Sequence, residues 1–256
     1  MSSSLQIEKS GAITRLTLNR PDAMNALLPE THDALHDAFN DFAADQSQLV
    51  CVITGAGDRA FCAGTDLKAL EHYRPYPASG YAGIVERFDL DKPVIAAVNG
   101  FALGGGFELA LACDIIIASD TARFGLPEPL VGAVALGGGL HRLPRQIGLK
   151  RAMGMILTSR AISAATALDY GLVNEVVAPE ALMTTVQAWC DDILRASPAS
   201  IRASKQTAKR GLDEDSLATA LQQQQNYQAF RDWQQSPDAI EGPRAFAEKR
   251  APKWKS

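Results

Sequence analysis

Two glutamates stand in surroundings where a carboxylate is uncommon. Glu108 lies between a glycine triplet at residues 104–106 and an apolar run, and Glu128 lies between two prolines in the segment GLPEPL. Burying a carboxylate without a partner is costly, so each side chain needs either a partner or a chemical purpose. A pair of carboxyl groups can donate and accept protons, and we therefore expect a catalytic centre within residues 92–130.

The glycine triplet before Glu108 can also supply hydrogen-bond donors. Glycine allows close backbone approach, and the helix that follows begins with free N–H groups at the positive end of its dipole. Such a turn can bind a phosphate or stabilise a developing oxyanion. The lysine of a phosphate-binding loop is missing, because Phe107 and Glu108 stand in its place. A second donor loop is expected at Gly64 and Thr65, in front of a short helix that starts at Leu67.

Each of these features also has a purely structural interpretation. Glu108 can be the acidic residue of a first helical turn, and Glu128 can belong to a surface turn. Asp66 can cap the helix that starts at Leu67 by accepting its free N–H groups. The combination of two turn-held carboxylates with two donor loops favours acid–base chemistry beside an oxyanion hole. The alternative is that both glutamates serve only as turn residues.

Two further motifs predict no functional site. Residues 55–60, GAGDRA, match a dinucleotide-binding pattern, but loop sequence continues where a helix should begin. His32 and His36 lie one helical turn apart and could in principle bind a metal. No third ligand follows at a recognisable spacing, so we expect a solvated helix face there and no metal site.

The composition excludes several classes of protein. The chain has 256 residues with 25 basic and 29 acidic side chains, a formal charge of −4 and a pI of about 5.6, which argues against a nucleic-acid-binding surface. Its four cysteines show no metal-binding spacing and are expected to be reduced core residues. No signal peptide and no apolar run of membrane-spanning length is recognisable. We therefore expect a soluble cytoplasmic protein that binds neither nucleic acid nor a membrane.

The pattern of secondary structure changes along the chain. A hairpin is expected to turn at residues 9–11, followed by an amphipathic helix from Pro29 to Ala44. Strands are expected at residues 49–54, 94–98 and 173–177, a loop at 55–66, and helices at 82–90, 138–147, 150–157 and 163–170. After Pro179 only helices are expected, at residues 180–195, 200–210, 213–233 and 238–248. This order predicts an α/β core and an all-helical section whose apolar Phe246 and Trp254 pack on a neighbouring subunit.

Four segments of the chain resemble the enoyl-CoA hydratase/isomerase (crotonase) family. They are residues 18–27 (LNRPDAMNAL), 53–68 (ITGAGDRAFCAGTDLK), 95–128 (IAAVNGFALGGGFELALACDIIIASDTARFGLPE) and 142–177. The resemblance runs with consistent spacing from about Leu16 to the C-terminus. It implies an α/β fold in which a right-handed spiral of ββα turns forms the catalytic core, residues 1–195. Residues 196–256 would form a helical C-terminal region that builds homotrimers, often paired into hexamers.

The resemblance also implies a reaction. An acyl-CoA thioester would bind with its carbonyl oxygen held by the backbone N–H groups of Thr65 and Gly105, where the helix dipole favours an enolate oxyanion. Glu108 and Glu128 would add water in syn fashion across a 2-enoyl-CoA, with Glu128 as the proton donor to C2. Coenzyme A would enter as part of the substrate, and no metal or redox cofactor is implied.

The same resemblance places the CoA portion of the substrate against two segments and a neighbouring subunit. The implied contacts are Arg20, Ala23, Met24, Ala63, Asp66, Leu67 and Lys68, with Phe246 and Lys249 of the neighbour. The chain departs from the family pattern beside the acyl pocket, where Ala135 and Leu136 replace a proline and a glycine, and the bulk of Leu136 is expected to reshape or shorten the pocket. Three alternatives to a hydratase stay open: an isomerase, a carnitinyl-CoA-type dehydratase on a specialised acyl group, and a catalytically idle acyl-CoA-binding homologue.

Overall fold

The computed structural model describes residues 4–72 and 74–255, and the chain divides into two units. One unit comprises Met1–Arg87 and Val94–Ala188, and the other comprises Phe88–Pro93 and Trp189–Ser256. The first unit contains every described strand, whereas the second is built from helices and connecting segments. The late change from strands to helices that the sequence predicts is therefore present.

The strands of the first unit form two sheets. In chain order they are β1 Leu5–Ser10, β2 Ile13–Leu18, β3 Val50–Gly55, β4 Ala60–Cys62, β5 Val94–Val98, β6 Phe101–Leu103, β7 Ile115–Ser119, β8 Arg123–Gly125, β9 Ile162–Ser163 and β10 Glu175–Val177. The larger sheet has the order β1-β2-β3-β5-β7-β10, in which the β1–β2 hairpin is antiparallel and the other pairs are parallel. The smaller sheet has the order β4-β6-β8-β9 and is antiparallel at β8–β9. The predicted N-terminal hairpin is confirmed.

Successive strands alternate between the sheets, which gives the chain a spiral path. β3, β5 and β7 are neighbours in the larger sheet, and the strands that directly follow them, β4, β6 and β8, are neighbours in the smaller one. Parallel neighbours require a crossover connection, which the intervening loops and helices supply. β3 and β5 are buried at every position, as expected for parallel strands covered on both faces. This path is the ββα spiral that the family resemblance implies.

Helices occupy most of the positions that the sequence predicts. The α-helices of the described residues are α1 Pro29–Ala44, α2 Gly105–Ala112, α3 Gly139–Ile147, α4 Leu149–Thr158, α5 Ala164–Asp169, α6 Leu182–Leu194, α7 Pro198–Gly211, α8 Leu217–Gln223, α9 Gln228–Gln235 and α10 Asp238–Ala247. Short 3-10 helices occur at Pro21–Ala23, Leu67–His72, Tyr81–Gly83, Glu128–Val131, Pro179–Ala181 and Gln224–Asn226. α1 buries Leu35, Phe39 and Phe42 on one face, as its amphipathic pattern predicts.

Two predicted segments before residue 94 are wrong. Residues 60–62, expected as loop, form β4, which is too short to show an alternating pattern. Residues 82–90, expected as a helix, contain only the end of the 3-10 turn Tyr81–Gly83. Ala82 and Gly83 have positive φ values of 52° and 68°, which an α-helix cannot accommodate.

A third predicted element, the helix at residues 213–233 of the second unit, is divided into α8 and α9. The side chain of Ser216 accepts the Thr219 N–H and so caps α8, and Tyr227 is extended before α9 begins. α8 buries none of its residues, and Leu217 and Leu221 on it are exposed. An apolar face of this kind is typical of a surface that packs on another chain.

Three further features of the described residues concern the cysteines, possible membrane helices and possible metal sites. All four cysteines are buried and free, as predicted. Over residues 4–72 and 74–255, no helix combines the length and apolar character needed to cross a membrane. Across the same residues, no three His, Cys, Asp or Glu side chains are grouped so that they could hold a metal ion.

Candidate active site

A turn that follows β2 and a loop that follows β4 are joined by backbone hydrogen bonds. The Ala63 N–H donates to the Met24 carbonyl at 3.0 Å, and the Leu27 N–H donates to the Gly64 carbonyl at 2.8 Å. Met24 has a φ of +54°, which turns its carbonyl towards the loop. These bonds fix the path of the loop that carries Thr65.

Two backbone N–H groups come together where this loop reaches the N-terminus of α2. In the part of the chain that the structure describes, neither the Thr65 N–H nor the Gly105 N–H has a hydrogen-bond partner. Gly64 has a φ of +89°, and a Cβ atom on it would lie 2.9 Å from the Gly105 nitrogen, so only glycine allows this approach. Two unpaired donors at a helix N-terminus can stabilise a negatively charged oxygen.

Glu108 lies in the first turn of α2, three residues after Gly105, and is 3% exposed. One of its carboxylate oxygens accepts the Gly139 N–H at 2.8 Å, at the start of α3. Burial is the main cause that raises the pKa of Glu108 from 4.5 to about 7, and the charge of Glu128 acts in the same direction. The N–H groups at the start of α3 and the charge of Arg142 oppose the rise.

Glu128 is half-buried at the start of the 3-10 turn that follows β8. A Cβ atom on Gly104 would lie 3.1 Å from its Oε1, so the carboxyl group faces the N-terminal end of α2. Its Oε2 is buried and has no hydrogen-bond partner among the described residues. Burial raises the pKa of Glu128 as well. An oxygen buried in this way is destabilising unless a ligand or a water molecule forms a hydrogen bond with it.

The two carboxyl groups influence each other's ionisation. Burial raises the pKa of both groups, and the charge of Glu128 raises the pKa of Glu108 further, so two negative charges together are disfavoured. With one group protonated and the other ionised, such a pair can supply an acid and a base at the same time. Beside two oxyanion donors, it can take a proton from one atom of a carbonyl compound and deliver a proton to another.

Most residues expected to contact CoA lie on the same two segments. The guanidinium of Arg20 pairs with the Asp66 carboxylate at 2.9 Å and donates to the Ala26 carbonyl at 2.7 Å. Asp66 also accepts the Lys68 N–H at 3.1 Å, as a cap of the 3-10 helix would. Arg20 and Asp66 therefore hold the segments together. Ala23, Met24 and Ala63 are half-buried beside them, and Leu67 and Lys68 are exposed.

The other predicted residues belong to different segments of the chain. Phe246, on α10, and Lys249, just beyond it, belong to the second unit; Phe246 is 88% exposed and Lys249 has a φ of +53°. Their contact with the CoA of a neighbouring subunit stays a prediction. Ala135 is buried and Leu136 is 84% exposed. The expected effect of Leu136 on the acyl pocket also stays a prediction.

Tyr81 and His32 belong to the site although sequence reasoning did not select them. Tyr81 is 5% exposed, and its hydroxyl lies 3.2 Å from the Thr65 hydroxyl. His32 is 3% exposed and its Nδ1 accepts the Ala82 N–H at 2.9 Å. The expected solvated face is therefore wrong for His32, because the turn around Ala82 covers that face of α1.

Known proteins resemble this chain over nearly its whole length. It matches the family model described as enoyl-CoA hydratase/isomerase over residues 8–256. The carnitinyl-CoA dehydratases of Proteus mirabilis (strain HI4320) and Salmonella typhi are each 42% identical to it, over 100% of this chain and 99% of each relative. Enoyl-CoA hydratase EchA1 from Mycobacterium marinum has a TM-score of 0.92 at 39% identity, with 98% of both chains covered. Enoyl-CoA hydratase from Bacillus anthracis has a TM-score of 0.89 at 35% identity, with 99% of both chains covered. The predicted fold is therefore confirmed over the whole chain.

Proposed function

The chain belongs to the enoyl-CoA hydratase/isomerase family, and we propose that it is a hydro-lyase acting at C2 and C3 of an acyl-CoA thioester. The observation that carries the proposal is the pair of carboxyl groups, Glu108 and Glu128, beside the unpaired N–H groups of Thr65 and Gly105. One carboxyl group can take a proton from the attacking water while the other delivers a proton to carbon. A single carboxyl group suffices when a proton only moves between two carbons.

In the hydration direction, the N–H groups of Thr65 and Gly105 would bind the thioester oxygen and polarise the conjugated double bond. Water attacks C3 while Glu108, whose carboxylate form is stabilised by the Gly139 N–H, takes its proton. The electrons of the double bond move to the thioester oxygen, and the resulting enolate takes a proton at C2 from Glu128. Glu108 gains a proton as Glu128 loses one, so the reaction adds one water and nothing else.

The same groups would catalyse the reverse reaction, the loss of water from a 3-hydroxyacyl-CoA, because the forward and reverse reactions pass through the same transition states. The curated relatives named carnitinyl-CoA dehydratase make carnitinyl-CoA the first substrate to test. Simple 2-enoyl thioesters are the second, because the similar solved structures are named enoyl-CoA hydratases.

The CoA portion would bind along the two joined segments, at Ala23, Met24 and residues 63–68. The exposed Lys68 can pair with a phosphate, while the ion pair of Arg20 with Asp66 shapes the backbone around it. We propose that a neighbouring subunit's Phe246 and Lys249 complete this surface in a cytoplasmic homotrimer or hexamer. No metal or redox cofactor takes part in the proposed reaction.

Replacement of each glutamate by glutamine tests the proposal. Glutamine keeps the size of the side chain but cannot exchange a proton, so Glu108→Gln and Glu128→Gln should each lower kcat about 100-fold or more. The measurement is the ultraviolet absorbance of the conjugated thioester, followed with carnitinyl-CoA, crotonyl-CoA and a 3-enoyl-CoA. Glu180→Gln, on an exposed turn, is the matched control and should keep wild-type rates.

The outcomes separate the alternatives. Wild-type rates in both folded active-site variants would contradict the proposed mechanism. Conversion of the 3-enoyl-CoA alone would identify an isomerase. Tight binding of all three thioesters without turnover would identify a catalytically idle homologue.

A further inference from the structure

Tyr81 contacts both segments that supply the oxyanion donors. Its hydroxyl lies 3.2 Å from the Thr65 hydroxyl, within hydrogen-bonding distance. Its ring end packs on Gly105, where an added Cβ atom would overlap the Tyr81 hydroxyl and the carbon that bears it. The side chain is 5% exposed and so almost fully enclosed. One side chain thus touches the loop and the helix whose N–H groups must act together.

Tyr81 is itself held by a buried histidine. The rings of His32 and Tyr81 meet edge-on with centroids 4.6 Å apart. The His32 Nδ1 accepts the N–H of Ala82, which has a left-handed φ of +52°. That conformation is strained for alanine, so the bond stabilises the turn that directs Tyr81 inward. Burial is the main cause that lowers the pKa of His32 to about 4; the charge of Asp33 opposes this effect and the charge of Arg74 adds a little to it. The ring is therefore neutral near pH 7 and can accept a hydrogen bond.

The hydroxyl of Tyr81 needs an explanation beyond packing. Phenylalanine would fill the same space without burying a polar group, which is stabilising only when it is hydrogen-bonded. Burial raises the pKa of Tyr81 well above its usual range, so the hydroxyl stays protonated and cannot act as a base near pH 7. Its contacts with Thr65 and Gly105 suit a residue that fixes the positions of the loop and the helix.

We propose that Tyr81 is a positioning residue of the oxyanion hole, which holds the N–H groups of Thr65 and Gly105 at the spacing a thioester oxygen requires. His32 supports it by stabilising the turn at Ala82. The inference rests on the proposed acyl-CoA chemistry and adds a residue to it. Donors that are fixed in advance lower the barrier because they do not reorganise as charge develops. Loss of the hydroxyl should therefore act on kcat more than on KM.

A double-mutant cycle tests the link between Tyr81 and Thr65. Tyr81→Phe removes one hydroxyl, and Thr65→Val removes the other while keeping the backbone N–H. Each variant should lower kcat about tenfold with KM changed less than about twofold, a smaller loss than removal of a whole donor causes. The double variant should be no slower than either single one, because all three lose the same bond. Tyr170→Phe, which removes a hydroxyl from a ring that packs under Arg151, is the control and should keep wild-type rates.

Infrared spectroscopy reads the oxyanion hole without turnover. Butyryl-CoA carries a saturated acyl chain that cannot be hydrated, so its ¹³C-labelled thioester carbonyl can be measured while bound. Wild-type protein should lower the carbonyl stretching frequency relative to that in solution, and Tyr81→Phe and Thr65→Val should each recover part of the shift.

The possible results distinguish this inference from the proposed function. An unshifted wild-type band, or no binding of butyryl-CoA at millimolar concentration, would overturn the oxyanion hole and the role of Tyr81 with it. A shifted wild-type band that both folded variants leave unchanged, together with wild-type kcat, would overturn the role of Tyr81 alone. Additive losses in the double variant would show that the two hydroxyl groups act separately, which also contradicts the inference.

Discussion

Glu108 and Glu128 differ in what surrounds each carboxyl group. Glu108 is fully buried but receives the Gly139 N–H, whereas Oε2 of the half-buried Glu128 has no partner among the described residues. A small polar group such as a water molecule would satisfy this oxygen by hydrogen bonding. Buried polar groups left unpaired in this way are typical of reactive sites.

The raised pKa of Glu108 predicts how stability changes with pH. Because the pKa rises from 4.5 to about 7 on folding, the native protein binds more protons than the unfolded chain between these values. The contribution of the Glu108 carboxyl group to native stability is therefore fully present below pH 4.5 and is lost as the pH rises through about 7. Glu108→Gln removes this loss, so its stability relative to wild type should grow by roughly 3 kcal/mol between pH 4.5 and pH 8. Urea unfolding at both pH values measures the change.

Glu180→Gln is the control for this measurement, because an exposed glutamate on a surface turn should give nearly the same stability difference at both pH values. A stability difference for Glu108→Gln that does not change with pH would mean that the carboxyl group titrates normally in the folded protein.

At the level of single residues, the sequence identified the groups that carry local signals. Glu108 and Glu128 stand out because glycine and proline flank them, and the turns beside them predict two donor loops, whereas the assignment of Thr65 and Gly105 as the donors came from the family resemblance. Tyr81 and His32 have no such signal, because their roles arise from contacts between residues 16 and 50 positions apart in the chain. For His32 the sequence predicted a solvated helix face, whereas the side chain is a buried hydrogen-bond acceptor.

At the level of elements, the loop after β4 carries the Thr65 N–H to the N-terminus of α2, where the Gly105 N–H lies. Gly64→Ala should damage the site specifically, because a Cβ atom there lies 2.9 Å from the Gly105 nitrogen and 3.1 Å from the Leu103 carbonyl oxygen. Both neighbours are backbone atoms, so the loop must shift and Thr65 with it. We expect kcat to fall about 100-fold, as after loss of one oxyanion donor. Enzyme kinetics with the best thioester substrate measures this loss.

Gly171→Ala provides the matched control. Gly171 also has a positive φ, of +74°, but a Cβ atom on it would meet nothing within 4 Å. Both variants should lose about 1–2 kcal/mol of stability from backbone strain, and only Gly64→Ala should lose activity. Equal kcat in the two variants would show that the approach of Gly64 to α2 has no part in catalysis.

Elements with a long, continuous pattern were predictable, and short ones were not. α1 and the buried strands β3 and β5 carry enough apolar residues to reveal their period. β4 has three residues, and its strand character comes from pairing with β6. The turn at Tyr81–Gly83 looks like the start of a helix in sequence, but Ala82 and Gly83 adopt positive φ values under tertiary contacts.

At the scale of the whole molecule, the alternation of strands and helices predicts an α/β protein, but strand order does not follow from it. The resemblance to the crotonase family supplied the spiral path, which the two sheets confirm. The likeness to relatives extends over the whole chain and shows the family, whereas the effect of Leu136, which departs from the family pattern, on the acyl group stays a prediction.

The exposed apolar side chains of the second unit predict self-association. Leu217, Leu221, Ile240 and Phe246 are between 56% and 88% exposed, and burying such side chains against another chain would be favourable. We expect light scattering to give three times the 27.4 kDa of one chain, or six times if trimers pair. Leu217→Glu with Leu221→Glu should lower that mass, and a monomeric wild-type protein would contradict the expectation.

The most direct test of the proposed chemistry follows the oxygen atom of water. The wild-type enzyme is incubated with a 2-enoyl-CoA that it turns over, in ¹⁸O-labelled water, and the product is analysed by mass spectrometry with fragmentation. We expect one ¹⁸O atom in a hydroxyl group at C3, one solvent hydrogen at C2 and an intact thioester. A product without ¹⁸O, or with ¹⁸O only in a released carboxylic acid, would contradict addition of water by Glu108 and Glu128.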